Sequence, residues 1–105
     1  MSTNARWDQD DVVSTIELLA KRWVIPIMAS LWEGPLRRVD LRLELGGISD
    51  KVLTTMLKRL ENSEVVSRKF FEAVPPRVEY ELTAKGRSLA LALTPIAEWA
   101  ETDDQ

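Results

Sequence analysis

The sequence predicts a mainly α chain of α+β type, and three patterns carry that expectation. Apolar residues recur at helical spacing through most of the first 60 positions. From Val66 to Leu82 the period changes to two, as in paired strands. Helical spacing then returns after Thr83.

The first helix is expected at about Asp11–Ala20, with Asp10 or Asp11 as its N-cap and Val12, Val13, Ile16, Leu19 and Ala20 on one face. Ser14 and Glu17 have capping-box spacing but fit equally well inside the helix. A second helix, about Trp23–Trp32, is apolar almost all round and reads as the central buried helix. Pro26 falls in its first turn, where a missing N–H costs little, and Gly34-Pro35 stops it. Leu36 reads as a one-strand stub. A short third helix spans Arg38–Leu45, with Leu41 and Leu45 inward and Arg42 outward, and ends at Gly46-Gly47. Ser49 caps a fourth helix, Asp50 complements its positive end, and Ile48 can staple to Leu53. Leu53, Met56, Leu57 and Leu60 form one stripe, and Lys51, Thr54, Thr55, Lys58 and Arg59 the opposite face. Val66–Phe71 and Arg77–Leu82 then read as a β-hairpin with a proline-stiffened tip at Glu72–Pro76. Thr83 caps a last helix from Ala84 to about Thr94, and Pro95 either kinks it or starts a short piece through Trp99. One domain over residues 1–105 is expected, with 1–10 and 101–105 as disordered tails.

Composition narrows the function classes. With 45% hydrophobic and 30% charged residues the chain is of the globular, folded kind. No apolar run approaches the roughly 18 residues needed to cross a bilayer, and the polar, acidic start does not resemble a signal peptide, so the expected location is cytoplasmic. The chain has no Cys and no His, which removes the commonest catalytic base, metal ligand and thiol nucleophile. No enzyme, cofactor or metal role is expected. Net charge is −3, unevenly spread. Residues 37–87 hold eleven basic against eight acidic groups, whereas residues 88–105 hold four acidic groups and no basic one. A basic centre on an acidic frame suits a nucleic-acid reading head.

Two short helices joined by a glycine turn can project the second into the DNA major groove, which admits an α-helix. The fourth helix offers Lys51, Lys58 and Arg59 to phosphates or guanine edges, and Thr54 and Thr55 as hydroxyl or methyl contacts. The bland alternative is a solvated helix face. The hairpin, with Arg68, Lys69 and Arg77 on its stem, fits a wing laid along the backbone, where contacts fix position and affinity more than sequence. A surface hairpin with scattered charge is the alternative there, since Glu72 and Glu79 sit among the cations. The resulting expectation is a winged helix-turn-helix, with Arg37 and Ser49 completing the set of residues expected to face DNA.

The stretch from Gly34 to Leu89 resembles the HxlR-type winged-helix regulators. The similarity runs through Gly34-Pro35-Leu36-Arg37, Leu41, Gly47-Ile48-Ser49, Lys51-Val52-Leu53, Leu57 and Leu60, then Val74-Pro75-Pro76-Arg77-Val78-Glu79-Tyr80, Leu82-Thr83 and Gly86. Upstream, Leu18–Trp23 matches a run that ends in Gly-Gly-Lys-Trp in the family, so the resemblance covers about residues 12–99. It implies homodimers on inverted-repeat DNA, joined through the N- and C-terminal helices. Four positions depart from the pattern. Ala20-Lys21-Arg22 replaces the Gly-Gly-Lys run. Arg38 stands where an aromatic is usual, which shifts packing there to Val39 or the tryptophans. Glu64 replaces a glycine after the reading helix, where a left-handed backbone would be costly. The cysteine by which many members sense oxidants falls at about Asp10, so the reading excludes thiol control.

Two further groupings remain. Val12, Val13, Ile16, Leu89, Leu93, Ile96 and Trp99 are expected at a dimer interface. Trp7, Trp23, Met28 and Trp32 either pack or line a pocket for a small organic effector. The expected function is a DNA-binding transcriptional regulator acting as a homodimer on palindromic double-stranded DNA. The alternative is a winged-helix module that binds protein without reading DNA.

Overall fold

The structure, a computed structural model, describes residues 6–103. Helix α1 (Asp10–Ala20) is followed by α2 (Val24–Leu31), a two-residue strand β1 (Leu36–Arg37), α3 (Arg38–Leu45) and α4 (Asp50–Asn62). The hairpin β2 (Val66–Phe71) and β3 (Arg77–Leu82) comes next, then α5 (Ala84–Ala92) and α6 (Thr94–Asp103). This is a helix-rich α+β fold with one three-stranded antiparallel sheet in the order β1-β3-β2. Leu36 pairs with Tyr80, and Arg68 faces Tyr80 from the other side, so β3 is the central strand.

The core follows from the apolar stripes. Leu53, Leu57 and Leu60 of α4 bury fully against Val24, Ile27 and Leu31 of α2 and Leu41 of α3. Each such side chain contributes about 1.5–3 kcal/mol relative to exposure. Val66, Tyr80 and Leu82 close the core from the sheet. Helix α2 is central but not wholly enclosed, because Ile25, Ala29 and Trp32 form an open flank toward the end of α5.

Several terminations differ from the sequence expectation. Gln9 occupies the N-cap of α1 without a side-chain cap bond. Asp11 accepts instead from the Val12 N–H at 2.9 Å, and Ser14 lies within the helix. Trp23 is the N-cap of α2 in the left-handed region, at φ 81°. With no glycine in Ala20-Lys21-Arg22, the reversal between α1 and α2 falls on Trp23 itself. Glu64 adopts φ 63° after α4. Val39, expected to help pack beside Arg38, is 58% exposed and takes no part in the core. Pro95 starts a separate helix, and α6 continues beyond Trp99 to Asp103, so residues 101–103, expected as tail, are helical. At the other end Asp10 already belongs to α1, and residues 6–9 lead into it through a turn closed by the Gln9 N–H on the Arg6 carbonyl at 3.2 Å, while residues 1–5 and 104–105 lie outside the described residues.

Candidate nucleic-acid interface

Helix α4 is held at both ends. At its start the Ser49 hydroxyl accepts from the Val52 N–H at 3.1 Å, the expected N-cap, and Ile48 is buried beside the core. At its end the Val65 N–H donates to the Leu60 carbonyl and the Glu64 N–H to that of Glu61, both at 2.9 Å. That pair is a Schellman closure with Glu64 at its left-handed position. Beyond it Thr83 caps α5, accepting from the Gly86 N–H at 2.9 Å while donating to the Glu64 carbonyl. The hydroxyl thus joins the end of α4 to the start of α5.

Fixed this way, α4 turns Lys51, Thr54, Thr55, Lys58 and Arg59 to solvent while its leucines stay buried. Among the described residues Lys51, Lys58 and Arg59 form no ion pair with a carboxylate. The wing cations are different. Arg68 meets Glu61 at 3.2 Å, Lys69 meets Glu81 at 3.2 Å, and Arg77 meets Glu79 at 3.0 Å. Arg77 also stacks over the Phe71 ring, 4.5 Å from its centroid. Arg37, on β1 opposite Glu79, pairs with Asp40 at 3.8 Å. All ten expected DNA-facing residues therefore lie on α4, its cap or the sheet, but the free positive charge is concentrated on α4.

The sequence reading missed Arg38. Its guanidinium reaches across twelve positions to the first turn of α4, donating to the Asp50 carboxylate at 3.0 Å, to the Asp50 carbonyl at 2.9 Å and to the Thr54 hydroxyl. Arg42 reinforces the same corner through the Ile48 carbonyl at 3.4 Å. Arg38 stood out only as an arginine where an aromatic is usual, and no local spacing pointed to its partners.

The other expected sites are only partly assembled. Met28 and Trp32 line an apolar groove of about 400 Å³ with Ile25, Ala29, Leu91 and Leu93. Trp23 sits at the opposite end of α2, under the Arg22 guanidinium, and Trp7 is 77% exposed, so neither joins that groove. Of the expected interface residues, Val12, Leu89 and Leu93 are half-buried, and Val13, Ile16, Ile96 and Trp99 are exposed. No helix among the described residues is long and apolar enough to cross a membrane.

A capped helix with one solvent-facing side, braced by a shorter one and followed by the hairpin of a three-stranded sheet, defines a winged helix-turn-helix transcriptional regulator, and DNA binding goes with that class. The sequence model of the HxlR-like helix-turn-helix family matches residues 18–104, and the chain belongs to that family. It is similar to the HTH-type transcriptional regulator YvaP of Bacillus subtilis, 40% identical over 85 residues that cover 81% of this chain and 79% of YvaP. It is also 37% identical to the Escherichia coli regulator YtfH over 83 residues, 79% of this chain. That match spans 66% of YtfH, a little under two thirds of its length. The reduced form of the transcriptional regulator YodB from B. subtilis superposes with a TM-score of 0.85 at 34% identity, covering 89% of this chain and 91% of YodB.

Proposed function

We propose that the chain controls transcription by binding inverted-repeat DNA as a homodimer, with α4 of each copy in a major groove and the wing over the flanking backbone. The observation that carries this reading is the exposed face of α4. It combines three cations free of acidic partners with two threonines, on a helix whose other face is locked into the core. Such a face suits base edges and phosphates together.

Dimerisation is supported by the C-terminal end. Every described side chain of α6 is exposed, and its substantial packing is with α5. A ten-residue helix with so little support is marginal in water, and a second copy laid against Ile96, Trp99 and the Val13–Ile16 face would supply the missing burial. The molecule is also long for its size, with extents of 57 × 31 × 23 Å.

Control is assigned to a small organic effector in the groove of Met28 and Trp32, whose volume falls in the usual range for such ligands. The 105 residues contain no cysteine, so thiol chemistry within them is not part of this reading. The effector would have to favour one spacing of the two reading heads, since equal affinity for both shifts nothing.

The test is selection of genomic fragments by the purified protein, followed by gel shifts at two salt concentrations. The expected result is enrichment of an inverted repeat with half-sites about one helical turn, ~34 Å, apart or a multiple of it. Salt-insensitive binding without sequence enrichment would favour a protein-binding module instead.

A further inference from the structure

The Thr54 hydroxyl has already committed its one hydrogen inside the molecule. Its single hydrogen goes to the Asp50 carbonyl at 3.0 Å, and one of its lone pairs accepts from the Arg38 guanidinium. Thr55, one position on, differs, since its hydroxyl donates to the Lys51 carbonyl at 3.1 Å but accepts from no group among the described residues. Both threonines are exposed on the same face. Arg38 itself is tied at three points, by its pair with the Asp50 carboxylate, by the Asp50 carbonyl and by Thr54. A forked guanidinium can make these bonds together, whereas an ammonium on a flexible stem cannot match the fork.

We infer that Arg38 is a positioning residue that sets specificity: it fixes the first turn of α4 and engages the Thr54 hydroxyl, which leaves the methyl as the group Thr54 offers to DNA. This rests on the DNA-binding function proposed above and deepens it. A hydroxyl with no hydrogen to donate cannot recognise the acceptor edges of guanine or the O4 of thymine, while the methyl of this exposed residue is suited to the thymine C5-methyl. Thr54 and Thr55 then have separate roles despite identical side chains. Thr54 contributes an apolar contact, and Thr55, with both lone pairs open, can accept from a base donor such as the adenine or cytosine amino group.

Two measurements test it. In the first, duplexes are selected from a randomised pool by wild-type protein, Thr54→Val, Thr54→Ser and Arg38→Ala. Thr54→Val, which keeps a methyl and drops the hydroxyl, is expected to recover the wild-type preference. Thr54→Ser, which keeps the hydroxyl and drops the methyl, is expected to lose preference at one position per half-site by roughly fivefold or more. Arg38→Ala is expected to change preference at that same position. The second measurement is amide hydrogen exchange on the free protein across residues 52–54, where Arg38→Ala is expected to speed exchange several-fold and Arg38→Lys not to restore protection. The inference is overturned if Thr54→Val relaxes the preference while Thr54→Ser preserves it, or if Arg38→Ala leaves exchange unchanged. Should the wild-type protein enrich no sequence, the DNA-reading function fails together with the methyl role, and the exchange measurement still decides whether Arg38 holds the turn.

Discussion

Glu64→Gly should make the protein more stable, although it removes an ion pair and adds a glycine. Glu64 sits at φ 63° between α4 and β2, where its Cβ crowds the carbonyl. That conformation costs an L-residue about 1–2 kcal/mol. Its compensation is small, because the Lys85 ammonium is 3.6 Å away and the two side chains are 65% and 78% exposed. A pair so open to water contributes no more than ~0.5 kcal/mol. Glycine removes the strain but adds about 0.5–1 kcal/mol of unfolded-state freedom. The balance is about 0.5 kcal/mol in favour of glycine, or roughly 2–4 °C in melting temperature for a domain of this size. Glu64→Ala is the control, since it loses the pair and keeps the strain, and should melt at or slightly below the wild type. Thermal unfolding followed by circular dichroism at one fixed protein concentration reads all three. A Glu64→Gly protein that melts below Glu64→Ala would refute the strain argument.

Gly86 tests the junction beyond that turn. A Cβ there would lie 2.1 Å from the Val65 carbonyl oxygen, so Gly86→Ala forces α5 away from the end of α4 and should cost about 2–3 kcal/mol, read as a lower denaturant midpoint at unchanged slope. Ser49→Ala removes the α4 cap bond and should cost about 1 kcal/mol in the same assay, with Ser49→Asp restoring most of it. Ile96→Glu combined with Trp99→Ala changes two exposed α6 side chains, so it should leave the monomer fold intact by far-UV circular dichroism while sedimentation shifts from dimer to monomer. Wild-type protein sedimenting as a monomer at micromolar concentration would remove the dimer from the account.

What the sequence made legible was what depends on near neighbours. The stripe Leu53, Leu57 and Leu60 announces α4 by period alone, and Ser49 and Thr83 announce the helix starts because a cap needs only the residues three positions on. The period-two run likewise placed β2 and β3 with their observed bounds. The features that escaped depend on the tertiary arrangement. Arg38 meets Asp50 and Thr54 only because α3 crosses the start of α4. The sequence set the wing cations only against Glu72 and Glu79, yet Arg68 finds Glu61 on α4 once the strands are in register, and Lys69 finds Glu81 across the hairpin. The tryptophans looked like one aromatic group, but Trp23 and Trp32 stand at opposite ends of α2. Glu64 marks the boundary between the two kinds of information. A glycine missing from its expected place pointed to a costly backbone, and the fold adopts that backbone because Leu60 and Val65 must still close the helix end.

Whether α4 reads duplex DNA is decided by salt-dependent anisotropy on a selected duplex and its scrambled counterpart. Three unpaired α4 cations in each of two copies predict a slope of about −5 in log affinity against log salt. Arg59→Ala should flatten that slope by about 2 and reduce the preference for the selected duplex. Arg77→Ala should change the slope less and leave the preference intact, because Glu79 already neutralises that guanidinium. Equal affinity for both duplexes, with a slope that Arg59→Ala leaves unmoved, would contradict the account.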